Sequence, residues 1–148
     1  MSNGESGGGA GVSWMPAAFV ILGLGNLANA LWMLLSPESW YHDLPAGVPD
    51  TGPLNLHFVR DLGAAFFTMA VAFFVSAPKA QQRRGVVLAV GLWYVLHSII
   101  HLYDVAVGHL DTHHLLLDFP LVYMPTLILI VLAFPRWWAV SSPGARAA

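Results

Sequence analysis

Residues 92–104, LWYVLHSIIHLYD, carry two histidines and one carboxylate within an otherwise apolar stretch. On a helix that turns roughly 100° per residue, the spacings of four and three place His97, His101 and Asp104 within an arc of about 60°. Three polar side chains therefore share one face of a hydrophobic helix. The surroundings of this helix decide the fold class, and its polar face indicates where to look for a site.

The composition is typical of a small integral membrane protein with one domain. Of the 148 residues, 57% are hydrophobic and only 9% are charged, against about 25% charged in a typical soluble domain. A net charge of −2 gives no electrostatic support for a nucleic-acid partner. The absence of cysteine excludes disulfide exchange, thiolate zinc sites and Cys-ligated iron–sulfur clusters.

Four apolar segments predict an all-α fold, an integral membrane four-helix bundle. Each is close to the ~20 residues that a membrane-spanning helix needs. The predicted spans are residues 14–35, 54–76, 85–107 and 115–137. Asp118, Pro120 and Pro125 predict a kink or a late start in the fourth span. The transmembrane domain would cover residues 14–138, between flexible tails at 1–13 and 139–148.

Smaller features complete the expected bundle. Gly23 and Gly25 favour close helix packing in the first span rather than half of a dinucleotide-binding motif. Residues 38–43 predict a short helix along the membrane interface, with Trp40 and Tyr41 at headgroup level. We expect Asn26 and Asn29, one turn apart, to face the bundle.

The distribution of basic residues predicts the orientation. Lys79, Arg83 and Arg84 fall between the second and third spans, and Arg136 and Arg146 follow the fourth. The other two loops contain no lysine or arginine. The positive-inside rule therefore predicts that both termini are cytoplasmic and that the acidic, histidine-rich loops face outward. This makes the chain a multi-pass protein of the cell membrane.

The ionisable residues of three spans are expected at similar depths. With a rise of about 1.5 Å per residue, all would lie within ~15 Å of the outer ends of their helices. Such residues are costly in a membrane unless paired or solvated, so they predict a functional site. The candidate metal ligands are His57, Asp61, His97, His101, Asp104, His113, His114 and Asp118. Arg60 would form an ion pair or contact an anion.

Three chemical interpretations of this cluster remain open. Histidine nitrogens and carboxylates on facing helices could bind zinc, iron or copper. His57 with His97 or His101 could instead ligate a b-type haem, although the carboxylates argue against it. The third possibility is structural: Arg60 and Asp61 would pair, and the histidines would hydrogen bond to neighbouring groups and fix helix register. A proton relay through histidine and aspartate is a close relative of these.

The layout of four spans, and the sequence Arg60-Asp61-Leu62-Gly63-Ala64-Ala65 early in the second, resemble the small DoxX-like membrane proteins and related uncharacterised four-helix families. Some DoxX-like proteins are implicated in quinone-linked redox chemistry. The resemblance therefore implies an oxidoreductase role by analogy.

The sequence thus predicts a metal-binding membrane protein that could be a component of an oxidoreductase. The alternative is a non-catalytic membrane accessory subunit whose buried polar network fixes helix packing. The expected partners are the lipid bilayer and either another membrane protein or a second copy of the chain.

Overall fold

A computed structural model describes residues 14–134, and within that range every regular element is helical, with no strand. This confirms the all-α prediction. A 3-10 helix covers Val48–Thr51 and a π-helix covers Phe119–Tyr123. The α-helices are α1 (Met15–Leu35), α2 (Pro37–Asp43), α3 (Leu56–Ser76), α4 (Ala80–Ala106), α5 (His114–Leu117) and α6 (Met124–Ala133).

Three of the predicted spans are single long helices. α1, α3 and α4 are each long and apolar enough to cross a membrane. The helix of the third span begins five residues before the predicted start of that span at Gly85, because α4 begins at Ala80 and includes Arg83 and Arg84. Alanine, glutamine and arginine are strong helix formers, so residues 80–84 extend the helix instead of forming a loop.

The fourth apolar segment is interrupted, as its aspartate and prolines predict. α5 ends at Leu117, the π-helix follows, and α6 begins at Met124. The carbonyl of Asp118 accepts hydrogen bonds from the N–H of Val122 at 2.8 Å and of Tyr123 at 3.4 Å, which widens this turn. Together the π-helix and α6 form a shorter apolar helix, Phe119–Ala133.

Several predictions fall outside the part of the chain that the structure describes. They concern the end of the fourth span at residue 137, the tails at 1–13 and 139–148, and the positions of Arg136 and Arg146.

The long helices pack in two pairs, α1 with α3 and α4 with α6. At the first contact, a Cβ added to Gly63 would lie 2.9 Å from the Cβ of Met33, so only glycine allows this approach. Gly23 packs as predicted, since a Cβ there would lie 2.6 Å from Cε1 of Phe74. The same prediction is wrong for Gly25, where a Cβ would meet nothing within 4 Å.

α2 lies against the bundle with its aromatic side chains turned inward, and the headgroup depth predicted for Trp40 and Tyr41 stays a prediction. Both side chains are buried. Trp40 Nε1 donates a 2.8 Å hydrogen bond to Asn29 Oδ1, and the Tyr41 hydroxyl donates one of 2.6 Å to the carbonyl of Gly52. Because both polar atoms find partners within the protein, the rings can be buried.

Buried hydrogen bonds join the helices across the interior. The Tyr94 hydroxyl of α4 donates to Asn26 Oδ1 of α1 at 3.2 Å, which confirms that Asn26 faces the bundle. The hydroxyls of Ser98 and Thr126 lie 2.7 Å apart between α4 and α6. Part of the structural role that the sequence suggested for the histidines is thus filled by neutral side chains.

The two ends of the bundle differ in charge. Segments 36–55 and 107–118 meet at one end, called here the loop end, where His114 Nε2 lies 3.0 Å from Asp50 Oδ2. The opposite end carries Lys79, Arg83 and Arg84. The guanidinium of Arg83 donates to the carbonyl of Ala77 at 2.6 Å, which ties α4 to the end of α3.

Candidate functional site

A cavity of about 760 Å³ lies at the loop end, between the helices and the two loops. Ligand pockets in proteins commonly have volumes of about 300–1,000 Å³. Segment 44–55 contributes one side of the wall, and the helices supply the remainder. Apolar side chains make up much of this wall, including Trp40, Leu62, Phe66, Ile100, Leu110 and Val122.

One side of the cavity carries a continuous row of polar side chains. The ring of His97 stacks on the indole of Trp93, with centroids 4.8 Å apart and planes at 20°. The His101 ring meets His97 edge to face at 4.6 Å. His101 Nδ1 then lies 2.8 Å from Asp118 Oδ2. Both histidines and the aspartate line the cavity, so the structure brings together part of the predicted cluster.

The contact between His101 and Asp118 determines what the imidazole can offer. Asp118 is 1% exposed, and its carboxylate, when ionised, can only accept hydrogen bonds. His101 Nδ1 then carries the proton and donates it. Nε2 is left as an acceptor, a base or a metal ligand.

Asp104 also lines the cavity, but its carboxylate faces the loop. Its Oδ1 lies 3.4 Å from His109 Nδ1. Its carbonyl accepts hydrogen bonds from the N–H of His109 at 2.8 Å and of Leu110 at 3.1 Å, which ends α4. Gly108 makes this turn with a φ of 77°, a left-handed conformation that glycine adopts without strain.

His57, Arg60 and Asp61 lie apart from the other predicted residues. His57 Nε2 is 3.3 Å from Asp61 Oδ2, and their side chains are 88% and 63% exposed. Among the ion pairs of residues 14–134, Asp61 is paired with His57 and not with Arg60, and the alternative contact of Arg60 with an anion stays a prediction. Neither His57 nor Asp61 lines the cavity. The eight candidate ligands therefore do not converge in one cluster.

The rotation of α3 explains this separation. Its buried face runs through Val59, Gly63 and Phe66. A residue two positions away on a helix points about 160° from the first, so His57 and Asp61 lie opposite that face. His57 and the cavity histidines consequently do not line a common space in which a haem could be held between them.

His113 and His114 belong to a second group, which includes a residue that the sequence did not single out. Each of Asp50, His113 and His114 offers a ligand atom within 4.8 Å of the other two. We call this group the loop cluster. It is the one such group of histidine and acidic residues found among residues 14–134; His97, His101 and Asp104 do not approach one another this closely.

Asp111 supports the loop cluster from beside it. Its Oδ1 accepts a hydrogen bond from the backbone N–H of His113 at 2.9 Å and lies 2.9 Å from His113 Nδ1. These contacts hold the pKa of the Asp111 carboxyl below its ordinary value, and the backbone hydrogen bond has the largest effect. The ring of His113 is thereby oriented with Nε2 away from Asp111.

Sequence reasoning missed Asp50, His109 and the Ser98–Thr126 pair. Asp50 and His114 are 64 positions apart, and no periodic pattern links residues in two different loops. His109 follows α4, and its position depends on the turn at Gly108. Ser98 lies next to His97 in the apolar stretch, and its small polar side chain was a readable sign of a helix contact.

The chain matches no protein-family model, no curated protein and no solved structure. The resemblance to DoxX-like proteins therefore stays a prediction from the sequence.

Proposed function

We propose that the chain is a multi-pass protein of the cell membrane whose four-helix bundle binds an apolar small molecule with a hydrogen-bonding head group. The observation that carries this proposal is the cavity, in which an apolar wall adjoins the hydrogen-bonded pair of His101 and Asp118. Binding sites for small molecules commonly combine apolar walls with a few placed polar groups.

The outer surface of the helices supports a membrane location. Three helices meet the length and composition needed to cross a membrane. Many of their large apolar side chains point outward, such as Ile21 on α1, Phe67 on α3 and Leu92 on α4. A soluble monomer rarely exposes so much continuous apolar surface. In the proposed orientation both termini are cytoplasmic and the loop end faces outward, since the basic residues lie at the other end.

The polar side of the cavity indicates the kind of head group. With His101 Nε2 free to accept, a ligand hydroxyl could donate to it. A carbonyl could instead accept from the His101 ring in its protonated form. A quinone and its quinol carry both kinds of oxygen on an apolar body. The resemblance to DoxX-like proteins makes this class the first to test.

The binding test uses fluorescence, because Trp40 and Trp93 line the cavity. The protein in lipid nanodiscs is titrated with decylubiquinone, which quenches indole emission. We expect saturable quenching, weakened by up to about tenfold in His101→Ala, the value of roughly one net hydrogen bond. His42→Ala is the matched control, since His42 is exposed and outside the cavity. Unsaturable quenching, or equal affinity in both variants, would contradict the proposal.

A second candidate function is metal binding in the cavity, which the i, i+4 spacing and 4.6 Å ring separation of His97 and His101 favour. Zinc, iron or copper would bind these two histidines, with Asp118 orienting His101 through Nδ1, and iron or copper would suit an oxidoreductase component. Metal analysis and an optical spectrum test it: one metal per chain, lost in His97→Ala, supports this function. A Soret band would indicate haem.

The accessory-subunit alternative predicts different behaviour. If the polar row only fixes helix packing, the chain holds neither metal nor small molecule. The His97→Ala and His101→Ala variants then lose thermal stability and nothing else.

A further inference from the structure

The loop cluster is separate from His97 and His101 of the cavity, and it joins the two segments that cover the cavity. Asp50 lies in the 3-10 helix of segment 36–55, and His113 and His114 lie where segment 107–118 turns into α5. Residues adjoining both parts of the cluster line the cavity, Val48 and Thr51 on one side and Leu110 on the other. Whatever binds the cluster therefore connects two parts of the cavity wall.

The buried histidine of the cluster presents one of its two ring nitrogens to Asp50. His114 is 1% exposed, and its Nδ1 has no hydrogen-bond partner among the described residues. Its Nε2 lies 3.0 Å from Asp50 Oδ2. Nε2 is therefore the ring nitrogen placed to hold an ion between His114 and Asp50, whereas Nδ1 lies on the other side of the ring.

The surrounding groups hold these side chains in place. Asp111 contacts Nδ1 of His113, an arrangement in which a carboxylate orients a metal-ligating histidine through its second nitrogen. The backbone of Gly47 packs against the His114 ring, where a Cβ would lie 2.9 Å from Cε1. Gly47 has a φ of 62°, so the chain turns there in a left-handed conformation that brings Asp50 to His114.

We propose that Asp50, His113 and His114 form a binding site for a divalent transition-metal ion that fastens the two outer segments together over the cavity. Two imidazole nitrogens and one carboxylate favour zinc and related ions over calcium or magnesium, which prefer oxygen ligands. Asp50 and His113 are exposed, so water completes the coordination. The site is separate from any ligand in the cavity, so this proposal does not depend on the proposed function.

The binding test uses the full chain with an affinity tag that contains no histidine. The protein is stripped with a chelator and then titrated with Zn²⁺ by calorimetry, and with Co²⁺ by its visible absorption. We expect one Zn²⁺ per chain. Loss of a residue that only orients a metal ligand weakens metal binding by about 10–100-fold, and we expect a loss of affinity in that range for Asp111→Asn. His113→Ala removes a ligand itself and should weaken binding by more.

Two controls separate this site from others. His113 is exposed, so its variant should fold even if a variant of the buried His114 does not. His42→Ala removes a histidine at the loop end that is outside the cluster, and His97→Ala removes a histidine of the cavity. Zn²⁺ binding that persists in both controls and is lost in His113→Ala and Asp50→Asn supports the site. Binding that survives in the latter two variants, or an unaltered chain that takes up no Zn²⁺, overturns it.

The fastening role has its own readout. Zn²⁺ should slow amide hydrogen exchange in residues 46–52 and 109–115 together, and the effect should disappear in Asp50→Asn. Slowed exchange in only one of the two segments would contradict a bridge between them.

Discussion

His101 Nδ1 on α4 and Asp118 Oδ2 at the start of the π-helix lie 2.8 Å apart, with Asp118 1% exposed. This contact joins the third long helix to the broken fourth segment. It also sets the tautomer of a histidine that lines the cavity. One hydrogen bond thus links the packing of the bundle to the chemistry of the proposed binding site.

Asp118→Ala should destabilise the protein, because it leaves His101 Nδ1 without its partner in a buried setting. The expected loss is about 1–3 kcal/mol in the free energy of unfolding. Thermal unfolding in detergent measures it. Asp43→Ala is the control, since Asp43 accepts an exposed hydrogen bond from the Ser39 hydroxyl. Equal effects of the two substitutions would show that the buried pair does not stabilise the bundle.

Gly63→Ala should push α1 and α3 apart, because the added methyl would lie 2.9 Å from the Cβ of Met33. Overpacking of this kind costs about 1–3 kcal/mol. Gly25→Ala meets nothing within 4 Å and should be neutral, or stabilise the protein through the higher helix propensity of alanine. The midpoint of thermal unfolding should therefore be lower in Gly63→Ala than in Gly25→Ala. Equal midpoints would rule out close packing at Gly63.

The hydroxyls of Ser98 and Thr126 should show a coupling energy. They lie 2.7 Å apart in the interior, and such pairs between membrane helices contribute about 0.6 kcal/mol on average. A double-mutant cycle with Ser98→Ala and Thr126→Val measures the coupling from unfolding free energies. A value near zero would mean that the two hydroxyls are satisfied independently, by the carbonyls of Val122 and Tyr94.

The proposed orientation can be tested with single cysteines, since the chain has none of its own. In intact cells a membrane-impermeant maleimide should label Glu38→Cys, at the loop end. It should label Lys79→Cys, at the basic end, only after the membrane is permeabilised. Both positions are exposed, so accessibility within the protein is matched. The reverse pattern would invert the orientation, and labelling of both in intact cells would argue against a membrane span between them.

The sequence was sufficient where one helix carries the information. The spacing of His97, His101 and Asp104 predicted a shared face, and all three line the cavity. His57 and Asp61 are likewise four residues apart on one helix, and their side chains lie 3.3 Å apart. Such relations depend only on helix geometry, so they can be derived before any tertiary structure is known.

The sequence was insufficient where the relation is between elements. The direction of the His57–Asp61 face depends on how α3 is rotated, which the burial of Val59 and Gly63 decides. The meeting of Asp50 with His114 depends on a loop turned at Gly47. The inward turn of Trp40 depends on Asn29, which lies on another helix. Loop positions and helix rotation are tertiary properties that local periodicity does not contain.

The occupancy of the cavity is the most direct test of the proposed function. The protein is extracted into polymer nanodiscs without detergent, and its bound small molecules are counted by mass spectrometry. Leu62→Trp fills the cavity, and Leu88→Trp places the same ring on an exposed position outside it. We expect about one apolar, oxygen-bearing molecule per chain in the unaltered protein and in Leu88→Trp, and none in Leu62→Trp. Equal contents in all three, or no such molecule in the unaltered protein, would contradict the proposal.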